Sequence, residues 1–277
     1  MRTALTIAGS DPSGGAGIQA DLKTFAAFGV YGASAITAIT VQSTKGVEAV
    51  APLSADLVTA QIEAVAADLA IHATKVGMLG TAAIVEAVAA AIAELDLPLV
   101  VVDPVLVSSS GERLLDADGV QTLCLELFPR ARVVTPNIPE AEALSGLRIA
   151  SNGDAREAAR RIHAMGPAAV VITGGHAQWD DRRSEAVSEG SGPRVVDLLF
   201  DGREFHEFCV ARVDSRQTHG TGCTLAAAVA AGLALGQELP DAVARAQQYV
   251  AGAIAHAPGI GHGRGPLDHF WGGILKQ

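Results

Sequence analysis

The sequence is poor in cysteine and in basic residues. Its three cysteines, Cys124, Cys209 and Cys223, form no CxxC pair and are odd in number, which favours a reducing compartment over a disulfide framework. Lys and Arg number 20 against 30 Asp and Glu, a formal net charge of −10. This charge argues against a partner held mainly by phosphate electrostatics, so we expect no nucleic acid and no anionic membrane as partner. A small-molecule substrate fits the composition better.

Long hydrophobic runs and an export signal are also missing. The longest apolar stretch, residues 224–236, is Ala-rich, amphipathic in pattern and shorter than the roughly 20 residues of a membrane-spanning helix. Residues 1–9 contain no apolar core of a signal peptide and run directly into a glycine-rich turn. We therefore expect a cytoplasmic protein without a membrane segment.

Apolar residues are abundant, at 49% of 277 positions, and they alternate between two patterns. Short β-branched runs predict buried strands of a parallel sheet covered on both faces, at residues 4–8, 35–41, 99–102, 132–135 and 169–173. Apolar residues at helical spacing predict helices after the caps Ser54 and Thr81, and at residues 154–165, 223–236 and 241–257, with Gly166 and Gly236 as stops. The pattern predicts one α/β domain over residues 1–277.

One segment interrupts this alternation. Residues 178–193 are polar and rich in Gly and Ser, and the sequence leaves open whether they form a lid. Residues 195–200 and 204–210 then flank Asp201-Gly202, which predicts a β-hairpin. We expect this hairpin to form an antiparallel edge of the sheet.

The segment Thr-His-Gly-Thr-Gly-Cys at residues 218–223 opens the Ala-rich helix. Its glycines let the backbone turn N–H groups toward one point at the positive end of the helix, a geometry suited to an anion such as phosphate. An ordinary glycine-rich helix start is the alternative. Cys223 falls in the first turn, where a thiolate is stabilised, so we expect a lowered pKa and a usable base. Cys124 and Cys209 are interpreted as small buried hydrophobic residues.

A second glycine-rich segment, residues 8–23, follows the first strand and enters a helix. Its glycines at positions 14, 15 and 17 do not match the G-x-G-x-x-G of dinucleotide-binding proteins, and no ribose-binding acid follows. A dinucleotide-binding oxidoreductase is therefore a distant alternative. Asp21 stands next to the apolar Leu22, so the pattern leaves open whether it faces solvent or a ligand.

Polar residues follow two later strands. Asn137 and Glu140 come after the strand at 132–135, at the carboxyl end where open α/β sheets bind ligands. The same residues also suit a helix start, with Pro139 in the first turn. Asp103 ends another strand before a polar turn at residues 108–111, and a buried capping role is its alternative.

Six segments together closely resemble the hydroxymethylpyrimidine/phosphomethylpyrimidine kinase family. They are the glycine-rich opening at 8–24, Lys-Val-Gly-Met-Leu at 75–79, Asp-Pro-Val at 103–105, Thr-Pro-Asn-Ile-Pro-Glu at 135–140, Gly-Gly-His at 174–176 and the segment at 218–223. The tail at 261–270 is similar too, so the resemblance covers essentially the whole chain. The opening and the segment at 218–223 are specific, whereas Asn-x-x-Glu is shared across ribokinase-like kinases.

This resemblance implies a ribokinase-like three-layer fold, a mostly parallel central sheet with helices on both faces and an antiparallel edge hairpin. It implies an ATP- and Mg²⁺-dependent kinase of thiamine biosynthesis. The substrate would be 4-amino-5-hydroxymethyl-2-methylpyrimidine, phosphorylated at one site to the monophosphate and then to the diphosphate. The resemblance also suggests a homodimer. A pyridoxal or pyridoxine kinase and a non-catalytic protein that binds a vitamin precursor are the alternatives.

The resemblance implies roles for individual residues as well. Asp21 and Gln42 would hydrogen-bond the aminopyrimidine, within walls formed by Gly9, Met78 and Val105. The backbone of Gly220, Thr221, Gly222 and Cys223 would form an anion hole for the migrating phosphoryl group, with Cys223 as the base for the hydroxymethyl proton. ATP would be bound by Asn137, Thr173, Gly220 and Gly222, and the metal by Glu140 and Asp103.

One position departs from the family pattern. The family often has Lys before Gly-Gly-His, whereas this chain has Thr173. A hydroxyl donates a hydrogen bond to phosphate but brings no charge. Charge neutralisation would then fall more on Mg²⁺ and on the anion hole.

Overall fold

The computed structural model describes residues 1–107, 111–112, 114–176 and 192–272. The strands in this part of the chain are β1 Thr3–Ser10, β2 Tyr31–Ser43, β3 Gly46–Pro52, β4 Ala73–Val76, β5 Val100–Val102, β6 Val133–Val134, β7 Val170–Ile172, β8 Arg194–Phe200 and β9 Phe205–Ala211. The α-helices are α1 Gly17–Ala27, α2 Ala55–Asp68, α3 Ala82–Glu94, α4 Ala117–Thr122, α5 Ile138–Ser145, α6 Asn152–His163, α7 Thr221–Ala234 and α8 Leu239–Ala255. Positions 108–110 of the predicted polar turn and 178–191 of the predicted polar segment lie outside the described residues.

The strands form one sheet in the order β3-β2-β1-β4-β5-β6-β7-β8-β9. Neighbours from β2 through β7 are parallel, while β3 on one side and β8 and β9 on the other pair antiparallel. The predicted parallel sheet and the hairpin around Asp201-Gly202 are thereby confirmed. The patterns above do not predict β3 or β4. β4 carries Thr74 and Lys75 in its centre, and β3 is exposed along most of its length, so neither reads as a continuous apolar run.

Helices cover both faces of the sheet. The face carrying Ala4, Ala73 and Val101 packs on α1, α7 and α8, and the opposite face packs on α2, α3, α5 and α6. This division follows from the two-residue period of a strand, because successive side chains point to opposite faces. Residues 224–234 of α7 are buried on all sides, so the amphipathic interpretation of this stretch is wrong.

The predicted caps of α2 and α3 are confirmed, whereas α6, α7 and α8 begin and end two residues before their predicted bounds. The hydroxyls of Ser54 and Thr81 accept the N–H groups of Leu57 and Ile84 and cap α2 and α3. Gly166 and Gly236 follow α6 and α7 in left-handed conformations, with φ of 115° and 85°. Among the described helices, none combines the length and apolarity needed to cross a membrane.

The strand order creates a switch point between β1 and β4. The chain moves from β1 to β2 and β3 on one side, and then returns to place β4 on the other side. In open parallel sheets, ligands bind outside the carboxyl ends of the strands at such a point. Gly9 lies at the end of β1 and Met78 just beyond β4, so the fold brings two of the predicted site residues to this position.

Candidate active site

Five neighbouring strands deliver the predicted site residues to one edge of the sheet. Their carboxyl ends lead into the segments with Gly9, Met78, Asp103, Asn137 and Thr173. Asn137 and Thr173 are directly paired by a parallel bridge, and the N–H of Thr173 donates to the carbonyl of Pro136 at 3.0 Å. A Cβ on Gly9 would lie 3.2 Å from the Met78 sulfur, so these two predicted wall residues are in close proximity. Val105 is half-buried just beyond β5.

Two glycine loops interlock above this edge. Gly220 is the N-cap of α7 with φ of 85°, and a Cβ on it would overlap the carbonyl oxygen of Gly15 in the opening loop. A Cβ on Gly15 would in turn lie 2.5 Å from the His219 ring. Gly17 has φ of 57°, and a Cβ there would overlap the carbonyl oxygen of Gly9. Glycine is required at Gly17 and Gly220 because backbone approaches backbone, and at Gly15 because the His219 ring approaches it, so the two sequence-specific segments form one structural unit.

The start of α7 presents main-chain donors. The N–H of Thr221 donates to Thr218 at a long 3.4 Å, and within the described residues neither Gly222 nor Cys223 has an acceptor for its N–H. The first N–H groups of a helix have no partner inside it, and the helix dipole makes the same end positive. The geometry is therefore that of an anion site, whereas the binding of a phosphoryl group there stays a prediction.

His219 joins the two loops through its side chain. Its Nε2 lies 2.8 Å from Oδ2 of Asp11 and 3.3 Å from Nε2 of Gln42, a predicted substrate-binding residue. Asp11 also accepts the N–H groups of Ser13 and Ala16 at 2.8 Å each. Burial disfavours the ionised Asp11, but the hydrogen bonds from His219 and Ser13 outweigh it and lower its pKa. Sequence reasoning missed Asp11 and His219, although Asp-Pro-Ser-Gly is a turn signal in which Asp binds backbone N–H groups.

A buried ion pair lies beneath these loops. Lys75 Nζ donates to Oδ2 of Asp21 at 2.9 Å, and both side chains are fully enclosed. The hydroxyl of Thr6 donates to the same oxygen at 2.6 Å. Burial raises the pKa of Asp21 above its usual value, with Lys75 and Thr6 opposing the shift. Burial alone would lower the pKa of Lys75, but the charges of Asp21, Cys223 and Asp103 outweigh it and raise that pKa. The structure thus excludes a solvent-facing Asp21, while its predicted contact with a substrate stays a prediction.

The pKa of Cys223 differs from the predicted one. Burial, together with the charges of Asp103 and Asp21, raises its pKa to about 12 despite Lys75 and the Gly17 N–H, which favour the thiolate. The expectation of a lowered pKa is therefore wrong: enclosure outweighs the helix terminus. The thiol hydrogen-bonds Asp103 instead. Cys209 is exposed on β9, so its interpretation as a buried hydrophobic residue is also wrong, whereas Cys124 is partly buried.

Asp103 and Glu140 form a second acidic pair. Both are buried, and burial plus the charge of Asp103 raises the pKa of Glu140 to about 8. Glu140 and Asn137 also form a capping box at the start of α5, which confirms the helix-start interpretation. Oδ2 of Asp103 is buried and has no hydrogen-bond partner among the described residues. Two close carboxylates with a free oxygen fit a divalent cation, although no group of three potential ligands occurs in the described ranges.

Asp197 in β8 fixes the loop that follows β7. Oδ1 of Asp197 accepts the N–H of Gly174 at 2.8 Å, and a Cβ on Gly174 would overlap the carbonyl oxygen of Val196. Asp197 is buried, and burial raises its pKa to about 6. Sequence reasoning missed this residue because its partner lies 23 positions away along the chain.

The C-terminal tail reaches the same region. Gly265 accepts the N–H of His219 at 3.1 Å, and Thr44 accepts the N–H groups of His262 and Gly263. His269 is buried beside Thr224, with 2.9 Å between Nε2 and Oγ1. The tail therefore braces the loop that precedes α7.

A mostly parallel sheet between two helix layers, with a glycine loop at a helix start beside its carboxyl edge, defines the ribokinase-like class of kinases. The phosphomethylpyrimidine kinase family matches residues 11–268. The chain belongs to this family.

Individual relatives agree with this assignment. The hydroxymethylpyrimidine/phosphomethylpyrimidine kinase of Rhizobium meliloti (strain 1021) is 48% identical over 272 residues, which cover 96% of each chain. The thiamine biosynthesis bifunctional protein ThiED of Geobacter sulfurreducens is 46% identical over 266 residues, but the match spans only 52% of that longer protein. The crystal structure of Bacillus subtilis pyridoxal kinase in complex with ADP superposes with a TM-score of 0.86 at 38% identity, covering 98% of both chains.

Proposed function

We propose that this protein phosphorylates 4-amino-5-hydroxymethyl-2-methylpyrimidine with ATP, first to the monophosphate and then to the diphosphate, in thiamine biosynthesis. The proposal is carried by the N–H groups of Gly222 and Cys223, which have no acceptor among the described residues and lie at the start of α7, a helix that packs on β1 and β4. Phosphoryl transfer depends mainly on positioning and on charge stabilisation at the transferring group. Membership of the family supplies the reaction class.

In this proposal the loop before α7 stabilises the transferring group. The backbone of Gly220, Thr221, Gly222 and Cys223 receives the phosphoryl oxygens. The hydroxymethyl oxygen attacks the terminal phosphorus of ATP, the bond to the ADP oxygen breaks, and the hydroxymethyl proton leaves to the sulfur of Cys223. Because this thiol is neutral and bonded to Asp103, its own proton moves to Asp103 in the same step.

The remaining predicted residues bind the two substrates. Asp21 and Gln42 hydrogen-bond the aminopyrimidine ring, and Gly9, Met78 and Val105 contact its faces. Asn137 and Thr173, paired at the ends of β6 and β7, bind the nucleotide phosphates together with Gly220 and Gly222.

Asp103 and Glu140 would hold Mg²⁺. Oδ2 of Asp103 has no hydrogen-bond partner among the described residues, and the charge of Asp103 raises the pKa of Glu140. Both observations support this choice. When bound, the ion supplies positive charge to the phosphate oxygens, the charge that Thr173 does not bring.

We further propose a cytoplasmic homodimer of single-domain subunits. The three free cysteines fit a reducing compartment, and the nine strands in the described part of the chain join in one sheet. The β2–β3 edge exposes the large apolar side chains of Ile39 and Val41 on one face of β2. Such a patch on a sheet edge is suited to a second copy of the chain.

Product analysis tests the proposed reaction. The purified protein is incubated with the aminopyrimidine alcohol, ATP and Mg²⁺, and phosphorylated products are separated over time. We expect the monophosphate first and the diphosphate later, and neither when a chelator replaces Mg²⁺. Pyridoxal is the matched competitor, because the similarity to a pyridoxal kinase favours it as a second candidate. Faster turnover of pyridoxal than of the aminopyrimidine would refute the proposal, and so would ATP-independent binding without product.

A further inference from the structure

Thr6 and Lys75 are direct neighbours across the switch point. They are register partners in the parallel pair of β1 and β4, so their side chains leave the same face of the sheet. That face packs on α1, which carries Asp21. The two side chains converge on one atom, Oδ2 of Asp21, at 2.6 Å and 2.9 Å.

The other oxygen of Asp21, Oδ1, takes no part in these two contacts. Oδ1 is buried and has no hydrogen-bond partner among the described residues. Burying an acceptor without a hydrogen bond costs free energy, so an unpaired oxygen of this kind needs a specific explanation, for example a role in binding a donor. The charge of this carboxylate also raises the pKa values of Cys223 and Asp103, two residues of the predicted site.

We propose that Thr6 and Lys75 are positioning residues for substrate specificity: they hold one oxygen of Asp21 and leave Oδ1 as an acceptor reserved for an N–H donor of the substrate. This inference rests on the proposed function, because the exocyclic amino group of the aminopyrimidine is the donor that Oδ1 receives. Lys75 opposes the burial that raises the pKa of Asp21, and in its ionised form the carboxylate accepts hydrogen bonds and donates none. A ring that offers an oxygen acceptor at this position is disfavoured.

A comparison of two substrates isolates this hydrogen bond. The aminopyrimidine alcohol and its des-amino analogue, with hydrogen in place of the amino group, are assayed for kcat/KM at saturating ATP. A hydrogen bond to a charged acceptor is worth roughly a 10- to 150-fold preference, so we expect the wild type to favour the amino substrate by about that factor. The preference should appear in the KM for the pyrimidine, with the KM for ATP unchanged.

Thr6→Val tests the positioning role with little change of volume. We expect it to reduce the preference for the amino substrate by about tenfold, because Oδ2 loses one of its two donors. Thr74→Val is the matched control. Thr74 precedes Lys75 in the same strand and is equally buried, and its hydroxyl has no hydrogen-bond partner among the described residues. Its side chain lies on the opposite face of the sheet, away from Asp21. Thr74→Val should keep the wild-type preference.

Lys75→Met leaves a buried charge unpaired and can prevent folding, so the double variant Asp21→Asn/Lys75→Met supplies a neutral pair of similar shape. We expect this pair to fold and to lose most of the preference. Unchanged preference in both Thr6→Val and the double variant would overturn the inference alone. An equal loss in Thr74→Val would overturn it as well, because packing would then explain the effect. Absence of turnover of the aminopyrimidine by the wild type would overturn the proposed function together with the inference.

Discussion

Gly220→Ala tests the interlocked loops, and Gly236→Ala is its internal control. The two glycines flank the same helix, α7, and have the same φ of 85°. A methyl group at Gly236 meets nothing within 4 Å, whereas one at Gly220 overlaps the backbone carbonyl of Gly15. The pair therefore separates left-handed backbone strain, which both variants share, from the collision that only Gly220→Ala creates.

The expected magnitudes follow from this difference. Left-handed strain costs about 1–2 kcal/mol, which lowers Tm by roughly 2–8 °C for a chain of this size. The obstacle at Gly220 is backbone and cannot rotate aside, so one loop has to shift by about 1 Å or more. A displacement of that size, or the loss of one anion-hole donor, costs about 10²- to 10³-fold in rate. We expect Gly220→Ala to lose that much kcat/KM, and Gly236→Ala to stay within about twofold of wild type.

Thermal unfolding and steady-state kinetics on the same preparations measure both effects. The expected result is a fall in Tm for both variants, larger for Gly220→Ala because the collision adds to the strain, with the loss of activity confined to Gly220→Ala. Activity of Gly220→Ala within about threefold of wild type would refute the interlock. An equal loss of kcat/KM in Gly236→Ala would show that strain in α7, and not the contact with Gly15, controls the site.

Three further predictions concern titratable residues. Cys223→Ala should slow phosphorylation of the alcohol more than that of the monophosphate, whose attacking oxygen is already anionic; equal losses in steady-state rates on both substrates would contradict this. Glu140→Gln keeps a side-chain oxygen for the capping box but should raise the Mg²⁺ concentration for half-maximal rate about tenfold or more, whereas the control Glu142→Gln should not. Because the pKa of Glu140 is about 8, the wild type should also need less Mg²⁺ as pH rises from 7 to 9, and a flat dependence would count against this site. Burial raises the pKa of Asp197 to about 6, so the folded protein binds this proton more tightly than the unfolded chain, and stability falls as pH rises through 4–6. Urea unfolding should show the wild type losing roughly 2 kcal/mol relative to Asp197→Asn between pH 4 and 7, and a constant difference would refute the shift.

Local signals in the sequence were reliable for the elements that carry them. Ser54 and Thr81 cap their helices, Asp201-Gly202 turns the hairpin, and Asn137 with Glu140 starts α5, because each depends on residues a few positions apart. β4 escaped prediction because Lys75 interrupts its apolar pattern. A buried lysine is tolerable there because of its partner Asp21, 54 residues away in sequence, and the nearby charge of Asp103.

The structure brings several predicted site residues together, and the predicted pKa of Cys223 was wrong. The strand ends bring Asp103, Asn137 and Thr173 to one edge, as parallel topology requires. The pKa of Cys223 was predicted from its place in the helix, which is a local property, but it is set by enclosure beside Asp103 and Asp21. Asp11, His219 and Asp197 were missed because their partners lie far away along the chain.

By itself, the sequence determined the α/β class, the helix starts, the glycine loops and, through its motifs, the family. These features depend on periodicity, on capping and on residue types at fixed spacing. Only the tertiary structure decided that Thr6 and Lys75 meet at Asp21, that the thiol of Cys223 is neutral, and that Gly220 touches Gly15. Burial and long-range contact set these properties, because the energy of a charge or a close approach depends on everything that surrounds it in space.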